Sequence, residues 1–294
     1  MPTPAATDTT SNASAAGQVH LGDLVVHRLG YGAMRITGQG IWGPPKDHDA
    51  AIKTLRRAVE LGVNFIDTAD SYGPNTSEEL IAEALAPYPK DLVIATKGGW
   101  NRPGPNQWTH DASPAHLRQA LEGSLKRLRV DRIDVYQLHV PDPVVPLDAS
   151  IETLANMQSE GKIRLVGLSN VTVEHIERAR KIVSIVSVQN RYSFADREWD
   201  NVVDYCEVNG IAFIPWFPLG AGRASGKVLE RIAKTRQVKP IQVALAWLLK
   251  RSPVMLPIPG TSSIAHLEEN VQAASLRFSE KENLELRGFI ELAS

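Results

Sequence analysis

Short apolar segments alternate with longer helical segments along nearly the whole chain, and this alternation restricts the fold more than any other feature. Eight apolar runs of strand length begin at residue 29, and residues with helical spacing follow each run. The runs are Leu29–Met34, Val63–Ile66, Leu92–Thr96, Ile133–Leu138, Ile163–Leu168, Ile185–Val188, Ile211–Pro215 and Val254–Ile258. Strands that alternate with helices form parallel sheets, and no Pro/Gly-rich linker divides the repeats. The pattern therefore predicts an α/β fold, one closed (β/α)₈ (TIM) barrel.

Helix signals agree with this prediction. Ser113 precedes Pro114 as an N-cap with proline at the first helical position, and glycine stands where helices should end, as at Gly62 and Gly210. A doubly wound sheet is the alternative, but the first strand is not followed by the G-x-G-x-x-G of its commonest dinucleotide-binding form. The predicted helices are Ala50–Glu60, Ser77–Leu85, Pro114–Leu128, Ala149–Ser159, Val173–Lys181, Glu198–Asn209, Gly226–Thr235, Ile241–Lys250 and Ser263–Ala274.

The two ends of the chain lie outside the eight repeats. Residues 1–17 are rich in Ala, Thr, Ser and Pro and lack both basic residues and an apolar core, so we predict a disordered tail rather than a signal peptide. Val19–Leu29 alternates around Gly22-Asp23, which predicts a β-hairpin. Ser279–Ala293 predicts an extra C-terminal helix. Residues 18–294 are thus expected to form a single domain.

Composition narrows the range of partners. Among 294 residues the formal net charge is −1, so there is no electrostatic reason to expect nucleic acid or an anionic membrane surface as a partner. No apolar run approaches the ~20 residues that a transmembrane helix needs. Cys206 is the only cysteine, which excludes an internal disulfide and multi-cysteine metal sites and fits a reducing cytoplasm. We expect a cytoplasmic protein that binds small molecules and has no metal site.

Polar side chains follow three consecutive strands, at the rim where barrel enzymes build their active sites. Asp67 ends the second strand, Lys97 the third and His139 the fourth, while Tyr72 lies in the loop after Asp67. Any one of these could be an unrelated polar residue, but together they can serve carbonyl reduction. A tyrosine is a poor acid unless a cation such as Lys97 lowers its pKa. Asp67 can orient that lysine, and His139 can bond the carbonyl oxygen.

The segment from Gly62 to Gly73, GVNFIDTADSYG, followed by Lys97 and His139, resembles the aldo-keto reductase superfamily. The resemblance extends from about residue 29 to residue 274. It implies a (β/α)₈ barrel with a hairpin closing its bottom and NADP(H)-dependent reduction of carbonyls. It also implies a catalytic tetrad, here Asp67, Tyr72, Lys97 and His139.

The same resemblance implies contacts to the nicotinamide half of the cofactor. Ser169, Asn170 and Gln189 would hold the carboxamide, although such residues also serve turns at strand exits. Trp216 would stack on the nicotinamide ring, where relatives commonly have Tyr. Phe217 stands where relatives often carry a small hydroxyl residue, so one polar contact is in doubt. Further contacts are expected from Gly32, Met34 and Leu219.

A second cluster is expected to bind the phosphates and adenine, at the helix that follows the eighth strand. Glycine and free amides at a helix start suit an anion, although an N-capped helix without a ligand would look the same. Gly260 replaces a Lys found in many relatives, and His266 replaces an Arg, which weakens the case for NADP over NAD. We still predict NADP(H), with NAD(H) not excluded. The residues assigned by resemblance are Gly260, Thr261, His266, Glu269 and Asn270.

Two long loops, residues 35–47 and 98–111, are expected to choose the substrate. Their tryptophans, Trp42, Trp100 and Trp108, could line an aromatic mouth or pin the loops to the barrel. The 32–45 segment and two other stretches resemble a bacterial branch that includes pyridoxal reductases, so pyridoxal is a candidate substrate. Two alternatives are open: an NADPH-binding regulatory or channel-associated subunit, and a barrel isomerase or lyase with Lys97 as a Schiff-base residue.

Overall fold

A computed structural model describes residues 12–220 and 227–291. Seven parallel strands form one curled sheet in the order β11-β10-β9-β8-β5-β4-β3. Their bounds are β3 Tyr31–Gly32, β4 Phe65–Asp67, β5 Val93–Gly98, β8 Ile133–Leu138, β9 Ile163–Ser169, β10 Ile185–Arg191 and β11 Ala212–Trp216. This sheet confirms the first seven strand predictions, although β3 is shorter than Leu29–Met34 because Ala33–Ile36 turns into a 3-10 helix.

The eighth predicted strand, Val254–Ile258, closes the barrel as an extended segment rather than as a regular strand. It pairs with β11 only through a parallel bridge between Phe213 and Met255. On its other side the Gly30 amide donates to the carbonyl of Pro257 at 3.0 Å. Proline has no N–H to donate, so Pro257 and Pro259 prevent a continuous hydrogen-bond ladder here. The predicted (β/α)₈ barrel is nevertheless formed.

Helices cover the outside of the barrel, and the nine predicted within the repeats agree with the structure to within two residues at each end. They are α1 His48–Glu60, α2 Thr76–Leu85, α3 Pro114–Leu128, α4 Leu147–Ser159, α5 Val173–Arg180, α6 Asp200–Asn209, α7 Lys227–Arg236, α8 Pro240–Arg251 and α9 Ile264–Gln272. The predicted C-terminal helix is α10, Glu280–Glu291. Gly226, the first residue of one prediction, lies outside the described residues. None of the described helices combines the length and apolar character needed to cross a membrane.

Two hairpins lie at opposite ends of the barrel. The first, β1 Gln18–Leu21 and β2 Leu24–His27, matches the prediction. It buries Leu21 and Val26 in a cluster that also contains inward residues of the barrel strands, such as Phe65, and it thereby closes one end. The second, β6 Trp100–Gly104 and β7 Gln107–His110, lies within a segment that we predicted only as a long loop. The available signal was the Pro105-Asn106 turn, where Asn106 has a φ of 56°.

The predicted disordered tail, residues 1–17, ends earlier than expected. Residues 1–11 lie outside the described part of the chain, but Ala13–Ala16 form a short 3-10 helix capped by Asn12. The Ala13 amide donates to the carbonyl of Leu61 at 2.8 Å, and Ala13 and Ala16 are buried. The tail prediction is therefore wrong for residues 12–17. Small alanine side chains fit against the barrel, and composition alone does not show such packing.

Candidate active site

Adjacent parallel strands bring Asp67 and Lys97 into contact inside the barrel rim. In the β4 and β5 register Asp67 lies opposite Ala95, which puts Lys97 one pleat farther along the same face. The Lys97 ammonium donates to Asp67 Oδ1 at 2.6 Å and to the Thr68 carbonyl at 2.9 Å. It lies 3.3 Å from the hydroxyl of Tyr72, whose side chain the loop after β4 returns to the rim. The predicted carboxylate, ammonium and phenol are thus one connected group.

Lys97 stays protonated although its side chain is completely buried. Burial by itself lowers the pKa of an ammonium, but the charge of Asp67 and the hydrogen bonds to Asp67 and Tyr72 outweigh it, so the Lys97 pKa lies above its ordinary value. The other carboxylate oxygen of Asp67 accepts from the amides of Gln137, at 3.2 Å, and Gln189, at 2.8 Å. A charge pair this deeply buried persists only with such partners.

The prediction that Lys97 lowers the pKa of Tyr72 below its ordinary value is wrong for the protein alone. Tyr72 is 7 % exposed, and burial raises the phenol pKa more than Lys97 lowers it. The nearby Asp67 carboxylate raises it further. The phenol is therefore protonated throughout the neutral range, the state that a proton donor requires.

His139 completes the predicted tetrad as a neutral imidazole. Its ring lies edge-on to the Tyr72 ring with centroids 5.8 Å apart. Burial, followed by the charge of Lys97, keeps the His139 pKa well below its ordinary value. Its Nδ1 lies 3.4 Å from the Ser71 hydroxyl. A neutral imidazole has one N–H, so His139 can donate a single hydrogen bond to a carbonyl oxygen.

Beside His139 the predicted carboxamide-binding residues form a fixed network. The Asn170 amide donates to the His139 carbonyl at 3.0 Å and to the Ser169 hydroxyl at 3.1 Å. Its oxygen accepts from the indole N–H of Trp216 at 3.0 Å, so the indole is held in one orientation. Gln189 has a second role besides the predicted one, because one N–H of its amide donates to Asp67, and its other N–H and its oxygen are left for a ligand. We did not predict Gln137 as a partner of Asp67, although the alternation of side chains along its strand could have indicated that role.

The remaining residues predicted at the nicotinamide half are placed mainly by the backbone. A Cβ on Gly32 would lie 2.7 Å from the carbonyl of Ile258, so only glycine fits there. Phe217 has a φ of 60° and lies under the Arg191 guanidinium, 5.6 Å from its ring centroid. Met34 and Leu219 are half-buried. Phe217 has no polar side-chain atom, so it cannot make the polar contact that the family pattern has at this position.

The five residues predicted at the phosphate and adenine half lie in the loop before α9 and along that helix. Gly260 packs against β3, and the Tyr31 hydroxyl donates to the Thr261 carbonyl. His266 is exposed in the first turn. Glu269 pairs with Lys239, which occupies its carboxylate. Asn270 is 3 % exposed, and its Oδ1 has no hydrogen-bond partner among the described residues.

This arrangement fits a nicotinamide dinucleotide. A buried, unpartnered amide oxygen at Asn270 can accept from a base amino group. The amides of Ile264 and Ala265, at the start of α9, make no hydrogen bond with any described residue. Such amides and the positive end of the helix dipole favour a phosphate. The donor and acceptor types therefore match the expected ligand at both ends of the rim.

The second hairpin places an aromatic wall beside Tyr72 and His139. The ring of Trp108 lies edge-on to those of Tyr72, at 6.5 Å, and His139, at 6.4 Å. Trp100 approaches His139 at 6.3 Å. Arg102 stacks on Trp108 at 3.7 Å and lies 5.8 Å from the Trp42 ring. Trp100 and Trp108 thus lie beside Tyr72 and His139, while Arg102 links Trp42 and Trp108 across the two loops.

Arg102 joins the two long loops to the catalytic loop. Its guanidinium donates to the carbonyls of Ser71 at 2.7 Å and Gly40 at 3.0 Å. It also donates to the carbonyl of Gln107 within its own hairpin at 2.8 Å. The orientation of Trp108 over Tyr72 therefore depends on Arg102.

A buried acidic cluster lies behind the catalytic loop. Glu78 pairs with Arg127 at 2.7 Å and accepts from the Thr96 hydroxyl. Asp70 is 8 % exposed, its Oδ1 has no partner among the described residues, and it borders a cavity of about 350 Å³. Burial, followed by the charge of Glu78, raises the pKa of Asp70 to about 8. Asp70 is thus largely protonated at neutral pH.

Comparison with known proteins was made on sequence and on structure. A family model described as the Aldo/keto reductase family matches residues 28–291. An uncharacterized oxidoreductase of Schizosaccharomyces pombe is 53 % identical over 91 % of the chain and 88 % of its own length. Pyridoxine 4-dehydrogenase of Escherichia coli is 47 % identical over 89 % of the chain and 94 % of its own length. An aldo/keto reductase from Klebsiella pneumoniae, solved with NADP and acetate, superposes with a TM-score of 0.76 at 26 % identity, covering 90 % of this chain and 92 % of that one.

Asp70→Asn should increase stability, and increasingly so as pH rises from 5 to 8. The unfolded Asp70 carboxyl ionises near pH 4, whereas the folded one keeps its proton until about pH 8. Between these values the unfolded state has released a proton that the folded state retains, so the wild type loses stability as pH rises. Urea unfolding at pH 5 and pH 8 measures this effect.

Glu79→Gln, at an exposed position in the first turn of α2, is the control, and its stability relative to wild type should not change between pH 5 and pH 8. If the stability difference between Asp70→Asn and wild type were equal at both pH values, the raised pKa of Asp70 would be contradicted.

Proposed function

Because the chain belongs to the aldo/keto reductase family, we propose that it reduces a carbonyl to an alcohol with hydride from NADPH and a proton from Tyr72. One observation carries the proposal: the buried Lys97 ammonium bonds both Asp67, at 2.6 Å, and the Tyr72 hydroxyl, at 3.3 Å. The cationic neighbour stabilises the phenolate that remains after the proton has left. A phenol held beside a buried cation in this way can donate its proton to the carbonyl oxygen during reduction.

The proposed reaction needs two transfers. A bound reduced nicotinamide supplies a hydride, with its electron pair, to the carbonyl carbon. The Tyr72 O–H bond breaks as its proton moves to the carbonyl oxygen, and the resulting phenolate is stabilised by Lys97. His139, as a neutral donor, orients the carbonyl oxygen toward Tyr72. Solvent later returns a proton to Tyr72.

We infer that the cofactor is NADP(H). Asn170, Ser169 and the oxygen of Gln189 would hold the carboxamide, and Trp216 would cover one face of the nicotinamide. Thr261, the amides at the start of α9 and Asn270 would hold the adenosine half. The K. pneumoniae reductase solved with NADP supports this choice. Against it, Gly260 and His266 supply no fixed positive charge.

We propose flat aromatic aldehydes, with pyridoxal as the candidate, as the substrate class. Trp100 and Trp108 present ring edges beside Tyr72 and His139, which suits a planar ring more than an extended aliphatic chain. The E. coli relative, 47 % identical, is named for pyridoxine, the alcohol that corresponds to pyridoxal. The lone buried Cys206 is consistent with action in a reducing cytoplasm.

The two alternative functions are less well supported. Schiff-base chemistry needs a neutral amine. Lys97 is wholly buried and bonded to Asp67, and its pKa lies above the ordinary value, so its amine stays protonated. A purely regulatory nucleotide-binding subunit has no need for a proton donor, yet Tyr72, Lys97 and His139 lie together at the rim. The family comparisons likewise favour an oxidoreductase.

Tyr72→Phe should lower the rate of NADPH-dependent pyridoxal reduction by about a thousandfold, within the range that loss of a general acid produces. Binding of NADPH, followed by quenching of tryptophan fluorescence, should be unchanged because the phenol lies away from the proposed adenosine contacts. Activity is measured against a panel of aldehydes that includes pyridoxal.

Tyr88→Phe is a matched control, since that hydroxyl bonds the Leu128 carbonyl outside the rim. Turnover that survives in Tyr72→Phe would eliminate Tyr72 as the donor. A wild type that oxidises NADPH with none of the aldehydes would count against the reductase itself.

Arg102→Met should raise KM for an aromatic aldehyde about tenfold, because it removes the stack on Trp108 and three backbone contacts. The Kd for NADPH should stay the same. Gln107→Ala on the same hairpin removes an exposed side chain and keeps the backbone carbonyl that Arg102 uses, so it should behave as wild type. An unchanged KM in Arg102→Met would show that Arg102 does not position the aromatic wall.

A further inference from the structure

The loop after the eighth barrel segment approaches β3 so closely that position 260 cannot carry a side chain. A Cβ on Gly260 would lie 2.5 Å from the carbonyl oxygen of Gly32. The loop is held there by a hydrogen bond from the Tyr31 hydroxyl to the Thr261 carbonyl. The atom that a Cβ at position 260 would meet belongs to the backbone, which cannot move aside cheaply. Any cation at this corner must therefore come from another element.

The side chain of Arg35 lies where a side chain at position 260 would begin. Its Cγ is 3.6 Å from the Cβ that Gly260 would have. Arg35 belongs to the 3-10 helix Ala33–Ile36, which is anchored by a hydrogen bond from the Ser77 hydroxyl to the Ala33 carbonyl. The aliphatic stem of Arg35 thus enters the phosphate corner from a fixed support.

The charge of Arg35 is not neutralised by the protein. Arg35 is exposed and forms neither a hydrogen bond nor an ion pair with any described residue. The acidic residues of α9 have other partners, since Glu268 pairs with Arg57 and Glu269 pairs with Lys239. An unpaired guanidinium beside a helix start is suited to an oxyanion.

Two further observations indicate a ligand at this corner. The amides of Ile264 and Ala265 make no hydrogen bond with any described residue, so they can donate to an anion. On the same helix the nearly buried Asn270 has an unpartnered Oδ1, which calls for a donor such as a base amino group. One helix thus offers a site for a phosphate and a site for a base, which are both parts of a nucleotide.

We propose that Arg35 binds a phosphate of the dinucleotide at the start of α9 and supplies the positive charge that Gly260 and His266 lack. The proposal rests on the proposed function, because it assumes a nicotinamide dinucleotide in the rim. Arg35 is a cofactor-binding residue and takes no part in proton transfer. Two phosphate positions are open to it, the 2′-phosphate and the pyrophosphate.

The test compares Arg35→Met with Arg35→Lys and with Lys46→Met, which removes another exposed positive charge from the loop of residues 35–47. The Kd values for NADPH and for NADH are measured by quenching of tryptophan fluorescence at low and high salt. Arg35→Met should weaken NADPH binding about tenfold, as expected for a charge-assisted hydrogen bond, and should reduce its salt dependence. Arg35→Lys should retain part of the affinity, and Lys46→Met should match wild type.

The pattern across cofactors identifies the phosphate. Loss with NADPH alone assigns Arg35 to the 2′-phosphate, and equal loss with NADPH and NADH assigns it to the pyrophosphate. Kd values within twofold of wild type for both cofactors, or equal weakening in Lys46→Met, would overturn the role of Arg35 and leave the proposed reductase intact. A wild type that binds neither cofactor would overturn both.

Discussion

The buried ion pair between Lys97 and Asp67 is the interaction on which the active site depends. Charges removed from water are costly, and here they are balanced by their 2.6 Å contact, by the Thr68 carbonyl and by the amides of Gln137 and Gln189. Because four elements of the barrel supply these partners, the pair exists only when the sheet has closed. It fixes the Lys97 ammonium beside Tyr72, and the proposed proton donor is positioned as a result.

The fold and the catalytic group could be predicted largely from local patterns. Alternation of apolar runs with helical segments located the strands and helices, since both depend on periodicity within a few residues. Asp67, Lys97 and His139 were found because parallel strands end at one rim, so order along the chain translates into proximity. The family resemblance added Trp216 and Asn170, which the structure joins by a hydrogen bond.

Features that depend on distant contacts could not be predicted. The pKa of Tyr72 is set by the balance of burial against Lys97, and sequence shows only that both groups are present. Gln189 is predicted only as a ligand contact, and the sequence does not show that the folded barrel also gives one of its N–H groups to Asp67. Likewise, the approach of Arg35 to Gly260 joins residues at opposite ends of the chain. The predicted eighth strand, Val254–Ile258, is an extended segment instead, because Pro257 lacks the N–H that a continuous ladder needs.

We propose that a protonated Tyr72, supported by the Lys97 and Asp67 pair, donates the proton in carbonyl reduction. The most direct test is the single-turnover rate of NADPH oxidation with an aromatic aldehyde that has no titrating group, measured from pH 6 to pH 9. Since burial keeps the Tyr72 pKa above its ordinary value, the rate should stay constant across this range. A tenfold fall with an apparent pKa of about 7 to 8 would contradict the account.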